Sequence, residues 1–188
     1  MRIGTWLTKR SGDRDGQAAL LSRVSIFDTL SKRELRKVEQ AMRLRVCPPE
    51  VPIFREGDRD EHLYIVVEGR IEIFRDPAKT PLEAPVSLGP GEFFGETALI
   101  ADAPRTASII PTETTRLLSL SRSDFRTFCA RHPRLGVQII IHLSQVIAER
   151  LRETNRLLKE AQAPRPKTQE TEVPEESEIL RPKAGGQT

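Results

Sequence analysis

The stretch Gly91-Glu92-Phe93-Phe94-Gly95-Glu96-Thr97-Ala98-Leu99-Ile100 is the most informative part of this 188-residue sequence. Gly95 permits a backbone conformation that is closed to residues with a side chain. The run from Glu96 to Ile100 is short enough to form one helical turn, whose free N–H groups would point at an anion. The stretch therefore predicts a tight turn that leads into an anion-facing helical turn.

A second segment, Pro104-Arg105-Thr106-Ala107-Ser108, follows after one loop and precedes a predicted strand. The guanidinium group of Arg105 is permanently charged and can clasp two phosphate oxygens in a planar fork. Glu96 only accepts hydrogen bonds when ionised, which suits donors such as ribose hydroxyls. Backbone N–H donors, one arginine and one glutamate fit a sugar phosphate, and they fit an apolar ligand or a metal ion poorly.

Around these segments, from Val46 to Leu120, the apolar pattern has the period of two that is typical of strands. It is clearest over residues 63–68 and resumes at Ile71 and Ile73 after the turn residue Gly69. Many short strands at close intervals predict a sandwich or jelly roll and not a parallel α/β sheet. Further strands are predicted at Val51 to Phe54, Val86 to Leu88, Ala107 to Ile110 and Arg116 to Leu120.

Helical patterns flank the strands on both sides. Ser31 and Glu34 form a capping box at the start of an amphipathic helix. After the strands, Ser121 or Ser123 caps a short helix, and a long helix runs from about Arg134 to Gln162. An approximate a/d seam on the long helix packs either on the chain's own barrel or on a partner helix. Its residues are Ile140, Leu143, Ile147, Leu151, Thr154 and Leu158.

The domain organisation follows from composition. Residues 1–16 are polar and glycine-containing and predict a flexible N-terminal arm. Residues 17–162 form the domain, including the long C-terminal helix. Residues 163–188 are rich in Pro and Glu and cannot bury enough apolar surface to offset the entropy of ordering, so they predict a disordered tail.

Composition narrows the classes of function. The sequence is 37% hydrophobic and 30% charged, which allows an ordinary core, and its net charge of +3 does not mark a nucleic-acid binder. No apolar run approaches the roughly 20 residues of a membrane span. The two cysteines form no CxxC pair and the three histidines are dispersed, so neither a metal site nor proton transfer is predicted. These features predict a cytoplasmic protein without membrane contact.

The two segments together closely resemble the phosphate cassette of the cyclic-nucleotide-binding domain family, which includes bacterial catabolite activators, kinase regulatory subunits and gated channels. The family pattern Phe-Gly-Glu-x-Ala-Leu, then Pro-Arg-x-Ala, stands here at residues 94–99 and 104–107. The resemblance covers roughly residues 24–160. It implies a mainly β fold with flanking helices, namely a double-stranded jelly-roll β-barrel with N-terminal helices and a long C-terminal helix.

By this resemblance the ligand is cAMP or cGMP, and no further cofactor is needed. Glu96 would take the ribose hydroxyl, and the amides of Thr97 and Ala98 with Arg105 would hold the phosphate. Thr106 is either a contact to a guanine amino group or an ordinary strand residue. Thr154 and Asn155 either cap the nucleobase across a dimer or are plain exposed residues. The full predicted set is Phe94, Gly95, Glu96, Thr97, Ala98, Arg105, Thr106, Ala107, Thr154 and Asn155.

The implied function is a sensor that transmits occupancy through its C-terminal helix to an unidentified protein effector, as a homodimer joined through that helix. Two alternatives keep the fold: a structural module that has lost its ligand, and a Crp-like transcriptional regulator acting through a partner. An enzyme such as a phosphodiesterase is disfavoured because no metal pair or placed base is visible. The sequence departs from the family in the loop Arg59 to His62, which lacks a second glycine, and in having only a Pro-rich tail where catabolite activators have a helix-turn-helix. Direct nucleic-acid binding is therefore not predicted.

Overall fold

In the computed structural model, strands occupy the middle of the chain and helices lie on either side of them. The structure describes residues 7–9, 14–74 and 86–162. The helices are α1 (Arg14–Leu21), a 3-10 turn (Ser25–Phe27), α2 (Lys32–Gln40), α3 (Thr97–Ile100), α4 (Arg122–Arg131) and α5 (Pro133–Gln162). The strands are β1 (Leu7–Lys9), β2 (Arg43–Cys47), β3 (His62–Glu68), β4 (Ile71–Phe74), β5 (Val86–Leu88), β6 (Phe93–Phe94), β7 (Ser108–Pro111) and β8 (Thr115–Ser121).

These strands form two antiparallel sheets. One has the order β1-β2-β8-β3-β6 and the other the order β5-β4-β7. Leu63 of β3 lies opposite Leu120 of β8, and Ile71 of β4 lies opposite Pro111 of β7. The mainly β architecture with flanking helices and a long C-terminal helix is confirmed, although the barrel is not closed within the described ranges.

Strand β3, which lies between β8 and β6, is buried on both faces, and this explains its nearly continuous apolar sequence. Leu63 and Ile65 join a core that the sheet shares with the helices. Tyr64 and Val66 point the other way, into a second core between the two sheets. The two cores thus fix the register of β3. A slip by one residue would move Tyr64 out of the core between the sheets and put a purely apolar residue in its place.

The C-terminal helices pack on the outer face of the five-stranded sheet. Ser121 ends β8 and caps α4, since its Oγ accepts from the backbone N–H of Asp124 at 3.0 Å. On α5, one stripe formed by Leu135, Ile139 and Leu143 is buried in the core shared with the helices. The C-terminal helices therefore cover this face of the sheet, and the short α3 contacts both β3 and α4.

Two expectations differ from the structure. Residues 51–54 do not form a strand: Phe54 makes an isolated bridge with Ile109, because Pro52 has no N–H to donate to a ladder. The seam expected along α5 is only partly buried. Leu143 is fully buried against the chain's own core, whereas Leu151 is 59% exposed.

Of the N-terminal arm expected over residues 1–16, residues 7–9 pair with β2 as β1, and α1 begins at Arg14. The rest of that range, and the tail expected over residues 163–188, lie outside the described residues. The predicted domain boundaries stay a prediction.

Candidate ligand-binding site

The two predicted segments meet in one structure, here called the cassette (residues 94–107). Phe94 ends β6, Glu96 precedes α3, and Arg105 stands three residues before β7. Gly95 has a φ of +76°, and a Cβ added to it would lie 2.7 Å from Nη1 of Arg105 and 2.7 Å from the carbonyl oxygen of His62. Gly95 is therefore required both by its backbone conformation and by the close approach of Arg105.

Arg105 points inward and is only 6% exposed. Its Nη1 donates to the carbonyl of Gly95 at 3.2 Å, and its Nη2 donates to the carbonyl of His62 and to Oδ1 of Asp60, the latter at 3.0 Å. Its Nε is buried without a hydrogen-bond partner among the residues that the structure describes. A buried donor without an acceptor costs free energy, so the cassette holds a guanidinium group with one unused donor.

An aromatic cluster lies beneath this guanidinium group. The Cζ atom of Arg105 is 4.1 Å from the centre of the Phe54 ring, a cation–π distance. The rings of Tyr64 and Phe94 stack with their centres 5.2 Å apart and their planes 16° from parallel. The cluster fixes Arg105 from below, because each ring also packs in the core between the sheets.

Asp60 is the carboxylate partner of Arg105, in the loop where the sequence lacks a second glycine. Its Oδ1 also accepts from the backbone N and Nδ1 of His62, at 2.8 and 3.0 Å, and its Oδ2 accepts from the Tyr64 hydroxyl at 2.7 Å. Nε2 of His62 lies 3.0 Å from Nη2 of Arg45. Because arginine only donates, Nε2 is the acceptor and Nδ1 carries the proton that faces Asp60.

These contacts change how two groups ionise. Burial disfavours the charged form of Asp60, but the hydrogen bonds from His62 and Tyr64 and the charge of Arg105 outweigh burial, so the pKa of this carboxyl lies well below its ordinary value. Burial, and then the neighbouring Asp60 charge, raise the pKa of the Tyr64 phenol well above its usual range. The carboxylate of Asp60 therefore stays charged and the phenol of Tyr64 stays protonated beside the cassette.

Glu96 is paired with a residue from α5. It is buried to 8% exposure, and its Oε2 lies 2.9 Å from Nη1 of Arg150. Nη2 of Arg150 donates to the carbonyl of Phe93 at 3.2 Å, and its guanidinium group lies 4.9 Å from the Phe93 ring centre. Both charged groups of the predicted site, Glu96 and Arg105, thus have opposite charges from the same chain beside them.

The remaining predicted cassette residues divide between the interior and the surface. Thr97 and Thr106 have exposed side chains, and Ala98 and Ala107 are buried. The N–H of Ala98 already donates to the carbonyl of Gly95, at 3.2 Å, and does not point free as expected. The amide of Ala98 would therefore have to exchange this turn contact to bind an anion.

Thr154 and Asn155 lie exposed near the end of α5. The hydroxyl of Thr154 donates to the carbonyl of Arg150, one turn back on the same helix, at 2.8 Å. The structure brings Arg150 to the cassette and shows no contact of these two residues with it among the described residues. Their role as caps for a nucleobase stays a prediction.

Sequence reasoning missed three contributors to the site: Asp60, Phe54 and Arg150. Spacing on the helix contains the signal for Arg150, because Leu143, Ile147 and Arg150 follow at i, i+4 and i+7 and share one face. Leu143 packs inward, so Arg150 is directed to the cassette. For Asp60 no comparable signal exists, since its closeness to Arg105 depends on the backbone hydrogen bonds of Arg105 with Gly57 and Asp58, which are distant from it in the sequence.

Within residues 14–74 and 86–160, no group of three or more His, Cys, Asp or Glu side chains is placed to hold a metal ion. None of the described helices combines the length and apolar character needed to cross a membrane.

Comparison with known proteins finds relatives that share this domain type. The family model of the cyclic nucleotide-binding domain matches residues 44–132. A cyclic nucleotide-gated potassium channel of Mesorhizobium japonicum is 36% identical over 136 residues, which are 72% of this chain and 36% of the channel. The crystal structure of the Thermus thermophilus catabolite activator protein superposes with a TM-score of 0.65 at 33% identity, covering 73% of this chain and 62% of that one.

A third similar structure is the regulatory domain of Toxoplasma gondii PKA, crystallised with cAMP, with a TM-score of 0.59 and 28% identity. It covers 72% of this chain and 50% of that one. The chain spans less than two thirds of the length of each of these three relatives. The likeness confirms the jelly-roll type expected from the sequence and places the cassette inside the matched region.

Proposed function

We propose that this chain, whose residues 44–132 match the family model of the cyclic nucleotide-binding domain, is a regulatory sensor module that binds cAMP or cGMP and does no chemistry on it. The observation that carries the proposal is Arg105, a buried guanidinium group with an unused Nε donor, held in the same cassette as Glu96. A buried cation with a free donor is suited to a singly charged phosphate diester. Related proteins of this family are channels and regulators, which supports binding without catalysis.

The roles of the residues follow from their chemistry. The phosphate would pair with Arg105 and with amides at the start of α3, where Thr97 and Ala98 lie. The second oxygen of Glu96 would accept a ribose hydroxyl, since Arg150 contacts only Oε2. Thr106, exposed at the mouth of the cassette, is the side chain that we propose for the base. Phe94, Gly95 and Ala107 shape the floor and turn without using polar side-chain atoms.

The test is calorimetric titration of the whole chain with cAMP and with cGMP, repeated with Arg105→Gln. Leaving the phosphate poorly paired should cost about 2–5 kcal/mol of binding free energy, which is at least about a 30-fold loss of affinity. Arg116→Gln is the matched control, because Arg116 lies on β8 and, among the described residues, forms its ion pair with the exposed Glu68. An Arg105→Gln variant that keeps wild-type affinity would contradict the proposal.

One observation favours a second candidate, a structural or interaction module of the same fold without a ligand. Arg105 already pairs with Asp60, and Glu96 already pairs with Arg150. If these pairs are permanent, millimolar cAMP or cGMP will not raise the melting temperature. Ligand that binds the folded state raises it by mass action, so thermal shift with both nucleotides separates the two candidates.

The output would run through α5 to a protein effector in the cytoplasm, and we propose that two copies join through this helix. The face of α5 turned away from the core carries exposed apolar side chains. Glu149 and Arg152 are also exposed on this helix and offer opposite charges to a second copy. The exposed apolar residues on α5 are Val137, Ile140, Ile141, Leu151, Leu157 and Leu158.

A further inference from the structure

Arg122, the first residue of α4, is a buried cation outside the predicted site. Its side chain is only 8% exposed. Arginine is rarely buried unless it is paired, because removing its charge from water is costly. The partners of Arg122 therefore indicate what this buried charge is for.

The side chain of Arg122 holds the C-terminal end of α3. Its Nε donates to the carbonyl of Ala98 at 2.6 Å, and its Nη2 donates to the carbonyl of Ala101 at 2.8 Å. The last carbonyls of a helix have no partner within the helix, and a cation there also meets the negative end of the helix dipole. A four-residue helix has little stability of its own, so Arg122 stabilises the helical turn that lies within the cassette.

Arg122 also contacts the loop that holds Arg105. Its backbone N–H donates to the carbonyl of Glu61 at 3.0 Å, and its Nη1 lies 3.6 Å from the Glu61 carboxylate and 3.5 Å from that of Asp102. Asp60 and His62, on either side of Glu61, are the residues that bind the guanidinium group of Arg105. One short loop is therefore gripped by two buried arginines, one from the cassette and one from α4.

We propose that Arg122 is a positioning residue that couples the cassette to α4 and α5. Arg122 is the first residue of α4, its side chain binds α3, and its main-chain N–H and side chain contact the 60–62 loop. A change of α3 or Arg105 on ligand entry therefore displaces the start of α4 directly, and α4 packs on α5. The proposal rests on the sensor function above and names the connection through which that function reaches the helices.

The test compares amide hydrogen exchange of α3 and of α4–α5 with and without saturating cAMP, in the wild type and in Arg122→Lys. Lysine keeps the charge and one donor direction but loses the fork that holds two carbonyls. We expect cAMP to slow amide exchange in α3 of both proteins. The affinity for cAMP should be about 2- to 30-fold weaker in the variant, and the cAMP-dependent change in exchange of α4–α5 should be reduced by a similar factor. Arg126→Lys, exposed on the same helix, is the control.

The outcomes are distinguishable. A wild type in which cAMP protects nothing overturns the sensor function, and the coupling role with it. A wild type that responds, beside an Arg122→Lys variant with an unchanged response in α4–α5, overturns the coupling role alone, even if the variant melts earlier. Arg122→Gln, which removes the charge, is the second variant, and loss of the fold in both would assign Arg122 to stability only and overturn the proposal.

Discussion

Arg150 of α5 and Glu96 of the cassette form an ion pair at 2.9 Å, although 54 residues separate them in the sequence. The pair is the direct polar link between the long helix and the acceptor proposed for the ribose. Glu96 is nearly buried while Arg150 is 47% exposed, so the link lies at the edge of the core. It ties the position of α5 to the state of the cassette.

Arg150→Ala should loosen α5 from the cassette. Partly exposed ion pairs contribute about 0.2–1 kcal/mol, so we expect faster amide exchange in the C-terminal half of α5 and little change in overall stability. Arg156→Ala is the control, because Arg156 pairs with Glu153 and Glu160 on its own helix. Equal exchange of α5 in the wild type and in Arg150→Ala would show that the pair does not hold the helix.

Gly95→Ala should lower both stability and nucleotide affinity. Alanine at a φ of +76° costs roughly 1–2 kcal/mol, and its Cβ would also displace Arg105. Gly57→Ala separates these effects, because Gly57 has a φ of +87° and open space where the Cβ would lie. Urea denaturation and calorimetry should show the larger loss at Gly95, and equal losses would mean that Arg105 moves aside freely.

Asp60→Asn should remove a pH-dependent part of the stability. The folded state holds the pKa of Asp60 below its ordinary value of 3.8, so the unfolded chain takes up a proton first as the pH falls. The stabilisation is therefore complete above about pH 5 and declines as the pH falls below 3.8. Urea denaturation across this range should show the wild type losing its advantage over Asp60→Asn, with Asp28→Asn, at an exposed residue, as control.

Substitutions on the two faces of α5 should affect different properties: stability on the buried face and self-association on the exposed face. Leu143→Ala removes a fully buried side chain and should cost about 2–5 kcal/mol of unfolding free energy. Ile141→Asp, at a residue 51% exposed, should change monomer stability by no more than about 0.5 kcal/mol. If two copies join through this face, Ile141→Asp should halve the mass measured by sedimentation, and an unchanged mass would contradict the proposed dimer.

Sequence patterns among neighbouring residues were enough to predict most of the helices and strands. Ser31 and Glu34 do form the expected contact at the start of α2, with the Ser31 N–H donating to Glu34 at 2.8 Å. The alternation along β3 and the glycine-linked turn before β4 appear as predicted. These features depend on residues that are close in the sequence, so composition and spacing are enough to predict them.

Features that depend on distant pairing could not be predicted in the same way. The spacing along the long helix predicts one apolar seam, but only packing against the folded core decides that Leu143 is buried and Leu151 is exposed. Asp60 was noted for the missing glycine and not for its contact with Arg105, which is 45 residues away. The cassette residues themselves were identified from their motif, and their binding roles stay proposals.

Tyr64 is a natural spectroscopic probe of the cassette. It is the only tyrosine in the chain, and its ring stacks on Phe94 while its hydroxyl donates to the carboxylate that holds Arg105. Aromatic NMR spectra of the unmodified protein therefore contain a single tyrosine spin system located beside the cassette. Shifts of those resonances during nucleotide addition would report occupancy without any label, dye or engineered probe.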